Sequence, residues 1–332
     1  MIQLNEREVV LVIGCDCDPL GFVESSKKIE PRSWELTARV LKNLVACLSA
    51  IPYEQSIKVT FLVRSDSCMQ ETFGEYAYCA KSSYGFLDAL RSKGHEIGWH
   101  PHFWRWAERW VAELKDSGFI RDCLVKGFNS LSDLFEITSV RTGWDYMSNE
   151  VMETLESLGI RADFSAIPGT KYHEASRGIS SDWLGTPSRF YFPSREDYRR
   201  PAAGATPSFK VLEMPLTLTK PPQLVRWVRP TIDRYYRAAR MPTPYQAMNI
   251  AKHPVFNKNG FERILTDEGL DDARYILTYF HPSDVTGRGL FSMRHLQNNV
   301  RYLLTRCKHK KDRLTVMTAT EAANKFLESA SR

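Results

Sequence analysis

Two short stretches concentrate the side chains that could do chemistry. Cys15-Asp16-Cys17-Asp18 sets two carboxylates two residues apart, and Gly98-Trp99-His100-Pro101-His102 sets two imidazoles at the same spacing. On an extended strand, residues i and i+2 point the same way, so each pair presents one face. Carboxylate oxygen with imidazole nitrogen is a donor set suited to Zn2+ or a neighbouring first-row ion. The combination reads as the site of a metal-dependent hydrolase, one aspartate acting as ligand and the other as general base. Two other readings of the aspartates stand beside it. One is an aspartyl phosphotransferase pair, although Pro19-Leu20 follows where that motif wants Thr or Val next but one; the other is two acids capping the turn before Pro19. Cys15 and Cys17 alternate with the acids and are expected to face the other way, into packing.

Two further residues could complete such a site. Arg141 opens Arg-Thr-Gly-Trp, and a guanidinium can orient a nearby carboxylate and hold it ionised through a two-pronged pair. His281, in Tyr-Phe-His-Pro-Ser-Asp, ends an apolar run, and an imidazole titrating near neutrality can act as general acid. His95 opens the strand that ends in His100, so it is expected at the far end of the fold and not as a ligand. Trp99, Trp104, Trp106, Trp144 and Trp183 crowd these motifs; flat rings stack on sugars, though most such rings are core.

The elements that must position these residues follow from periodicity. Strands are expected at 9–15, 57–63, 96–100, 139–141, 162–166, 211–214, 275–280 and 314–317. Helices are expected at 31–51, 84–93, 106–115, 120–135, 148–158, 226–253, 260–268, 293–307 and 319–329. Residues 167–208 show no period, and a long loop in a compact domain is more often functional than idle. Seven or eight strand–helix units imply a parallel sheet closed into a distorted barrel, whose chemistry sits at the C-terminal strand ends. Asp16, Asp18, His100, His102, Arg141, Ser165 and His281 all fall at such ends.

Composition sets outer limits. The chain has 332 residues, 43% hydrophobic and 25% charged, which supports a sizeable core and excludes wholesale disorder. The net charge of +6 gathers late, around 226–240 and 306–313, as a solvated surface or an attraction for anionic substrate or membrane leaflet. No basic-aromatic nucleic-acid module is visible. Residues 1–8 are polar, and no apolar run is long enough for a signal or an integral membrane segment. Seven cysteines without a CxxC spacing fit a reducing compartment, so a cytoplasmic setting is expected.

Taken in order, the motifs resemble the polysaccharide deacetylase family (carbohydrate esterase family four, NodB-like) over about residues 9 to 326. The resemblance implies an α/β fold, a distorted (β/α)7-8 barrel. One domain over 1–332 is expected, with a loop insertion at about 167–208 and a helical insertion at about 226–258. The resemblance makes Asp16 the base and Asp18, His100 and His102 the ligands of a divalent ion, Zn2+ first and Co2+, Ni2+, Mn2+ or Fe2+ as alternatives. It makes Arg141, in Arg141-Thr142-Gly143, the residue that steadies the base, and His281, four after Leu277, the acid. Trp99, Trp144, Ser165 and Trp183 are candidates for substrate contact, Trp183 through Ser181-Asp182-Trp183 as the aromatic fourth motif. Two departures stand out. Cys17 separates aspartates that are usually adjacent, as in an intracellular-type subgroup, and the histidines are two apart where four is common, which puts Trp104 at the usual second-ligand position.

The expected activity is removal of an acetyl or other N-acyl group from an N-acetylated sugar or saccharide-containing metabolite, in glycan or exopolysaccharide biosynthesis. An amidohydrolase acting on a cyclic amide or ureide, and a non-catalytic carbohydrate-binding barrel, are the alternatives. The sequence leaves the oligomeric state open.

Overall fold

A computed structural model describes residues 7–22, 26–27, 29–204, 206–220, 239–240, 245–266 and 274–330. Its centre is a parallel sheet of eight strands: β1 Glu8–Cys17, β2 Thr60–Val63, β3 Glu96–Trp99, β4 Ser139–Val140, β5 Ala162–Asp163, β6 Leu212–Glu213, β7 Arg274–Phe280 and β8 Arg313–Met317. The spatial order is β6-β5-β4-β3-β2-β1-β7. One edge of β1 is shared. Residues Glu8 to Val12 pair with β8 and Gly14 to Cys17 pair with β2. Beyond β6 the chain turns onto β7, where the Thr217 amide donates to the Leu277 carbonyl at 3.0 Å and the Leu277 amide donates to Thr217 Oγ1 at 3.0 Å. These bonds tie the two edges together and make the sheet a distorted barrel.

Side-chain alternation sorts the residues. Val10 and Val12 of β1 share an inner cluster with Leu62, Ala162, Phe164, Leu212, Met214 and Leu277. Leu11, Ile13, Cys15 and Cys17 face outward into the larger cluster under the helices, as expected of the two cysteines. The inner row of β1 thus runs Val10, Val12, Gly14, Asp16, Asp18, apolar below and acidic at the C-terminal end. Gly98 continues the same logic on β3: a Cβ there would meet Ser139 Oγ at 2.5 Å and Leu62 Cδ2 at 2.9 Å, so the inner row can only pass at glycine.

The helices close around the sheet. α1 Pro31–Ser49 opens on a proline and buries Trp34, Leu41, Val45 and Leu48 along one stripe. α2 Ser67–Phe73 is capped by Asp66, α3 Tyr84–Ser92 follows, and α4 Ser117–Ser132 is capped by Asp116. α5 Asn149–Ser157 is capped by Ser148, and α6 Pro254–Thr266, α7 Pro282–Thr286, α8 Met293–Lys310 and α9 Ala319–Ala330 follow; a further short helical turn spans Tyr78–Ser82. Among the described residues no helix is long and apolar enough to cross a membrane.

Three expectations are corrected. The helix expected at 106–115 is a hairpin, Trp104–Trp106 against Trp110–Ala112, turned by Glu108 at φ 62° and held by the Trp106–Trp110 ring pair at 5.4 Å. Tryptophans favour such cross-strand pairing over a helix. The aperiodic stretch 167–208 holds a second hairpin, Lys171–Glu174 against Ile179–Asp182, whose turn needs Gly178 at φ 69°. Within the helix expected at 226–253, Ala239–Arg240 and Gln246–Ala247 are extended, and 226–238 and 241–244 lie outside the described residues. Those pairs have partners to meet, Ala239–Arg240 pairing with His173 and Tyr172 and Gln246–Ala247 with Leu218 and Thr219.

His95 lies at the start of β3, away from the acidic end, as expected. Its Nδ1 accepts the Val59 amide at 3.1 Å, and its ring meets Phe61 edge-on. Burial, with Lys93 and Lys58 nearby, pushes the imidazole down to about 4 from 6.5. The unfolded chain therefore takes up this proton first as pH falls. The contribution is whole above about 6.5, and up to about 3 kcal/mol of it is lost by about pH 4. Urea midpoints between those limits should fall more steeply for the wild type than for His95→Asn, which keeps an acceptor for Val59 but cannot titrate.

Candidate active site

The inner rows of five strands deliver polar residues to one end of the barrel: Asp16 at the end of β1 and Asp18 just beyond it, Arg64 beyond β2, His100 and His102 beyond β3, Arg141 beyond β4 and His281 beyond β7. Asp16, Arg64, His100, His102 and Arg141 are all under 10% exposed. The side chains of Asp18 and His281 are 28% and 35% exposed, so these two face the opening.

Two buried arginines organise the acids. Arg141 Nη1 donates to Asp16 Oδ2 and its Nη2 donates to Asp145, while its guanidinium lies 4.4 Å over the Tyr279 ring. Arg64 Nη1 donates to Asp18 Oδ1 at 2.7 Å and its Nε donates to Asp66. Each arginine thus joins one inner-row aspartate to one supporting aspartate. Asp66 also caps α2 through Met69 and accepts the His102 amide at 3.3 Å, so one carboxylate braces both the Arg64 that holds Asp18 and the backbone of His102. Against the cost of burial, Arg64 and then the imidazoles of His100, His102 and His281 hold the Asp18 carboxyl well below its usual range. Burial raises Asp145 to about 6 despite Arg141.

The imidazoles are fixed by unambiguous partners. His100 Nδ1 lies 2.6 Å from the Arg141 carbonyl, which can only accept, so that nitrogen carries the proton and Nε2 has a free lone pair. The two Nε2 atoms are 3.1 Å apart, and Asp18 Oδ1 is 3.8 Å from that of His102. Gly143 packs flat against the His102 ring, and any Cβ there would collide with it. Burial lowers both imidazoles, His102 further than His100. His281 behaves oppositely. Burial works against its charged form, but Asp284, whose Oδ2 is 3.4 Å from Nδ1, together with Asp16 and Asp18 raises it to about 9. Asn249 Nδ2 donates to the same Asp284 oxygen at 2.8 Å. His281 Nε2 lies 3.5 Å from Asp16 and 3.9 Å from Asp18.

A divalent ion fits this arrangement on three counts. One oxygen of Asp18 and one nitrogen each of His100 and His102 lie within 4.8 Å of one another. A His100 proton held on Nδ1 by a carbonyl is the arrangement a ligating imidazole needs. The charge also fits: His281 balances Asp284, and two arginines face four carboxylates, which leaves room for two positive charges. His102 fits in position, but its Nδ1 accepts the Trp104 indole N–H at 3.0 Å, a bond it must exchange in order to ligate through Nε2.

Of the residues expected at the site, Asp16, Asp18, His100, His102, Arg141 and His281 come together. Trp99, Ser165 and Trp183 are buried in the walls. Trp99 Nε1 donates to the Ser65 carbonyl at 2.9 Å, Ser165 accepts the Thr142 amide at 2.9 Å, and Trp183 Nε1 donates to the Asp145 carbonyl at 2.8 Å. Trp144 is half-buried beside His102, at φ 58°, with Arg177 4.4 Å over its ring. Arg64, Asp66, Asp145, Asn249 and Asp284 were not anticipated. Arg64 could have been found as the next inner-row position after Leu62, and Asp284 as the third residue after His281 across a helix-opening proline.

Removing one partner from a buried ion pair strands the other charge. Arg141→Met should cost about 3–5 kcal/mol in urea unfolding. Adding Asp16→Asn to that variant should recover a large part of the loss, because the stranded carboxylate is gone.

No family model and no curated protein matches this chain. Solved structures resemble it, two of them over almost the whole of this chain. A protein provisionally assigned as a glycoside hydrolase/deacetylase from Parabacteroides distasonis matches with a TM-score of 0.55 and 14% identity over 96% of this chain and 71% of its own. A provisionally assigned polysaccharide deacetylase from Mycobacterium smegmatis matches with a TM-score of 0.51 and 14% identity over 99% of this chain and 94% of its own. With its parallel barrel and the site at the C-terminal strand ends, the chain has the NodB-like polysaccharide deacetylase fold.

Proposed function

We propose that this protein is a metal-dependent amide hydrolase that removes the acetyl group from an N-acetylated sugar or saccharide-containing metabolite. The observation that carries the reading is the meeting of Asp18, His100 and His102 donor atoms within 4.8 Å, beside an aspartate clamped by an arginine and an imidazole backed by an acid. Asp18, His100 and His102 would hold the ion, Zn2+ being the best match to one oxygen and two nitrogens. When bound, the ion supplies polarisation of the acyl oxygen and acidification of water.

The remaining steps belong to the chain. Asp16, aimed by Arg141, accepts the proton of the attacking water. His281 carries its proton above neutral pH because Asp284, Asp16 and Asp18 face it, and Nε2 points toward Asp16 and Asp18. From there it protonates the departing amine, which cannot leave as an anion. Gly143, packed flat against the His102 ring, keeps that imidazole in place. A place in glycan assembly suits an acetamide substrate of this kind.

Acetate release from a panel of N-acetylated sugars tests the proposal. Activity should vanish with a chelator and return with Zn2+ or Co2+. Asp16→Asn should lower turnover by about a hundredfold or more while leaving ion content unchanged. Purified protein that holds under roughly 0.2 ion per chain, with no gain on reconstitution, would replace this reading with a binding barrel.

A further inference from the structure

Behind the site, on the outward face of the barrel, two acids lie side by side. Asp163 and Glu213 are register partners on β5 and β6, and neither is exposed at all. Their neighbours Ala162, Phe164, Leu212 and Met214 fill the inner cluster, so the two carboxyls share the opposite face. The donors that reach them are neutral. Asp163 Oδ1 accepts Ser165 Oγ at 2.6 Å and the Ser165 amide at 3.2 Å, and Glu213 Oε1 accepts the Ala166 amide at 3.2 Å. The other oxygen of each, Asp163 Oδ2 and Glu213 Oε2, is buried without a hydrogen-bond partner. Two adjacent anions in such surroundings cannot both persist.

We propose that Glu213 is a protonated carboxylic acid that donates to Asp163, and that this pair is a positioning device for the Arg141 loop. One proton satisfies both orphaned oxygens. It leaves Asp163 a single anion, able to hold Ser165, whose Oγ accepts the Thr142 amide at 2.9 Å. Thr142 directly follows Arg141, whose carbonyl holds His100 and whose guanidinium holds Asp16. The line Glu213, Asp163, Ser165, Thr142 therefore ends at the residue on which base and ligand both depend. Burial, and Asp163 beside it, raise Glu213 well above the usual carboxylate range. Arg141 is the charged group that acts on Asp163 from the next strand, and Tyr191 faces both acids from the covering loop. The value of the device to catalysis rests on the reading above, but the shared proton does not.

Infrared difference spectra at neutral pH test the proton without metal or substrate. The wild type should show the carbonyl stretch of a protonated carboxyl, and Glu213→Gln should lose that band while leaving the fold intact, since its amide can still donate to Asp163. If no such band depends on Glu213, the proposal fails. Hydrogen exchange tests the positioning. Amides of 142–146 should exchange about tenfold or more faster in Glu213→Ala and stay near wild type in Glu213→Gln. Equal protection in all three proteins would overturn the positioning role, whatever the enzyme assays show. Should Glu213→Ala fail to fold, the infrared comparison with Glu213→Gln still decides the central claim.

Discussion

The site depends on a buried cation that serves several masters. The Arg141 guanidinium binds Asp16 and Asp145 and lies on Tyr279, while its carbonyl fixes the proton of His100 and its amide is held by the Trp99 carbonyl. A guanidinium is suited to this because it never loses its charge and offers its donors in a rigid plane. The same residue thus sets the direction of the Asp16 carboxylate and the tautomer of His100. That coupling explains the backbone around it. Gly143 must be a glycine to admit the His102 ring, and Trp144 and Asp145 both take positive φ immediately after. Left-handed backbone at a residue as bulky as Trp144 is tolerated only where the surroundings insist on it, and here the ion pair of Asp145 and the Trp183 bond to the Asp145 carbonyl do so.

Arg64 repeats the scheme around Asp18. Two arginines, each shared between an inner-row aspartate and a supporting one, leave the opening net negative, while each buried acid still has a donor. Attraction for a divalent cation and stability of the metal-free fold usually conflict, because clustered carboxylates repel. Sharing each arginine between two acids eases the conflict. The fixed charge holds the carboxylates together without cancelling their sum.

Much of this was legible in the sequence because the barrel writes its inner face as every second residue. The rows Val10 to Asp18 and Gly98 to His102 follow from alternation alone, as does the outward placement of Cys15 and Cys17. Arg64 obeys the same alternation. An arginine beyond a strand ordinarily signals surface, and the burial of this one depends on Asp18, distant in sequence, together with Asp66 two residues on. The tryptophan hairpin at Trp104–Trp106 and Trp110–Ala112 was misread because its apolar spacing also suits a helix turn, and only the cross-strand ring pairing separates the two. Trp99, Ser165 and Trp183 show the limit of proximity. Trp99 stands next to His100 in the sequence, and Ser165 follows a strand as the site residues do, but the polar atoms of all three are committed to backbone or wall.

The two-residue histidine spacing has a structural counterpart. Histidines at i and i+2 along an extended inner row bring their Nε2 atoms to 3.1 Å directly, so no third residue of that segment need supply a ligand. Trp104, next in the same row, is then released for another task. Its indole is nearly coplanar with His102, at 7°, and holds the ring from behind through Nδ1. Gly143 covers one face of that ring and His100 meets it edge-on. His102 is therefore restrained by rigid neighbours on several sides, and the hydrogen bond it must give up to ligate is the adjustable element of an otherwise fixed site. In the proposed ion site, the Trp104 indole would compete with the ion for the His102 imidazole.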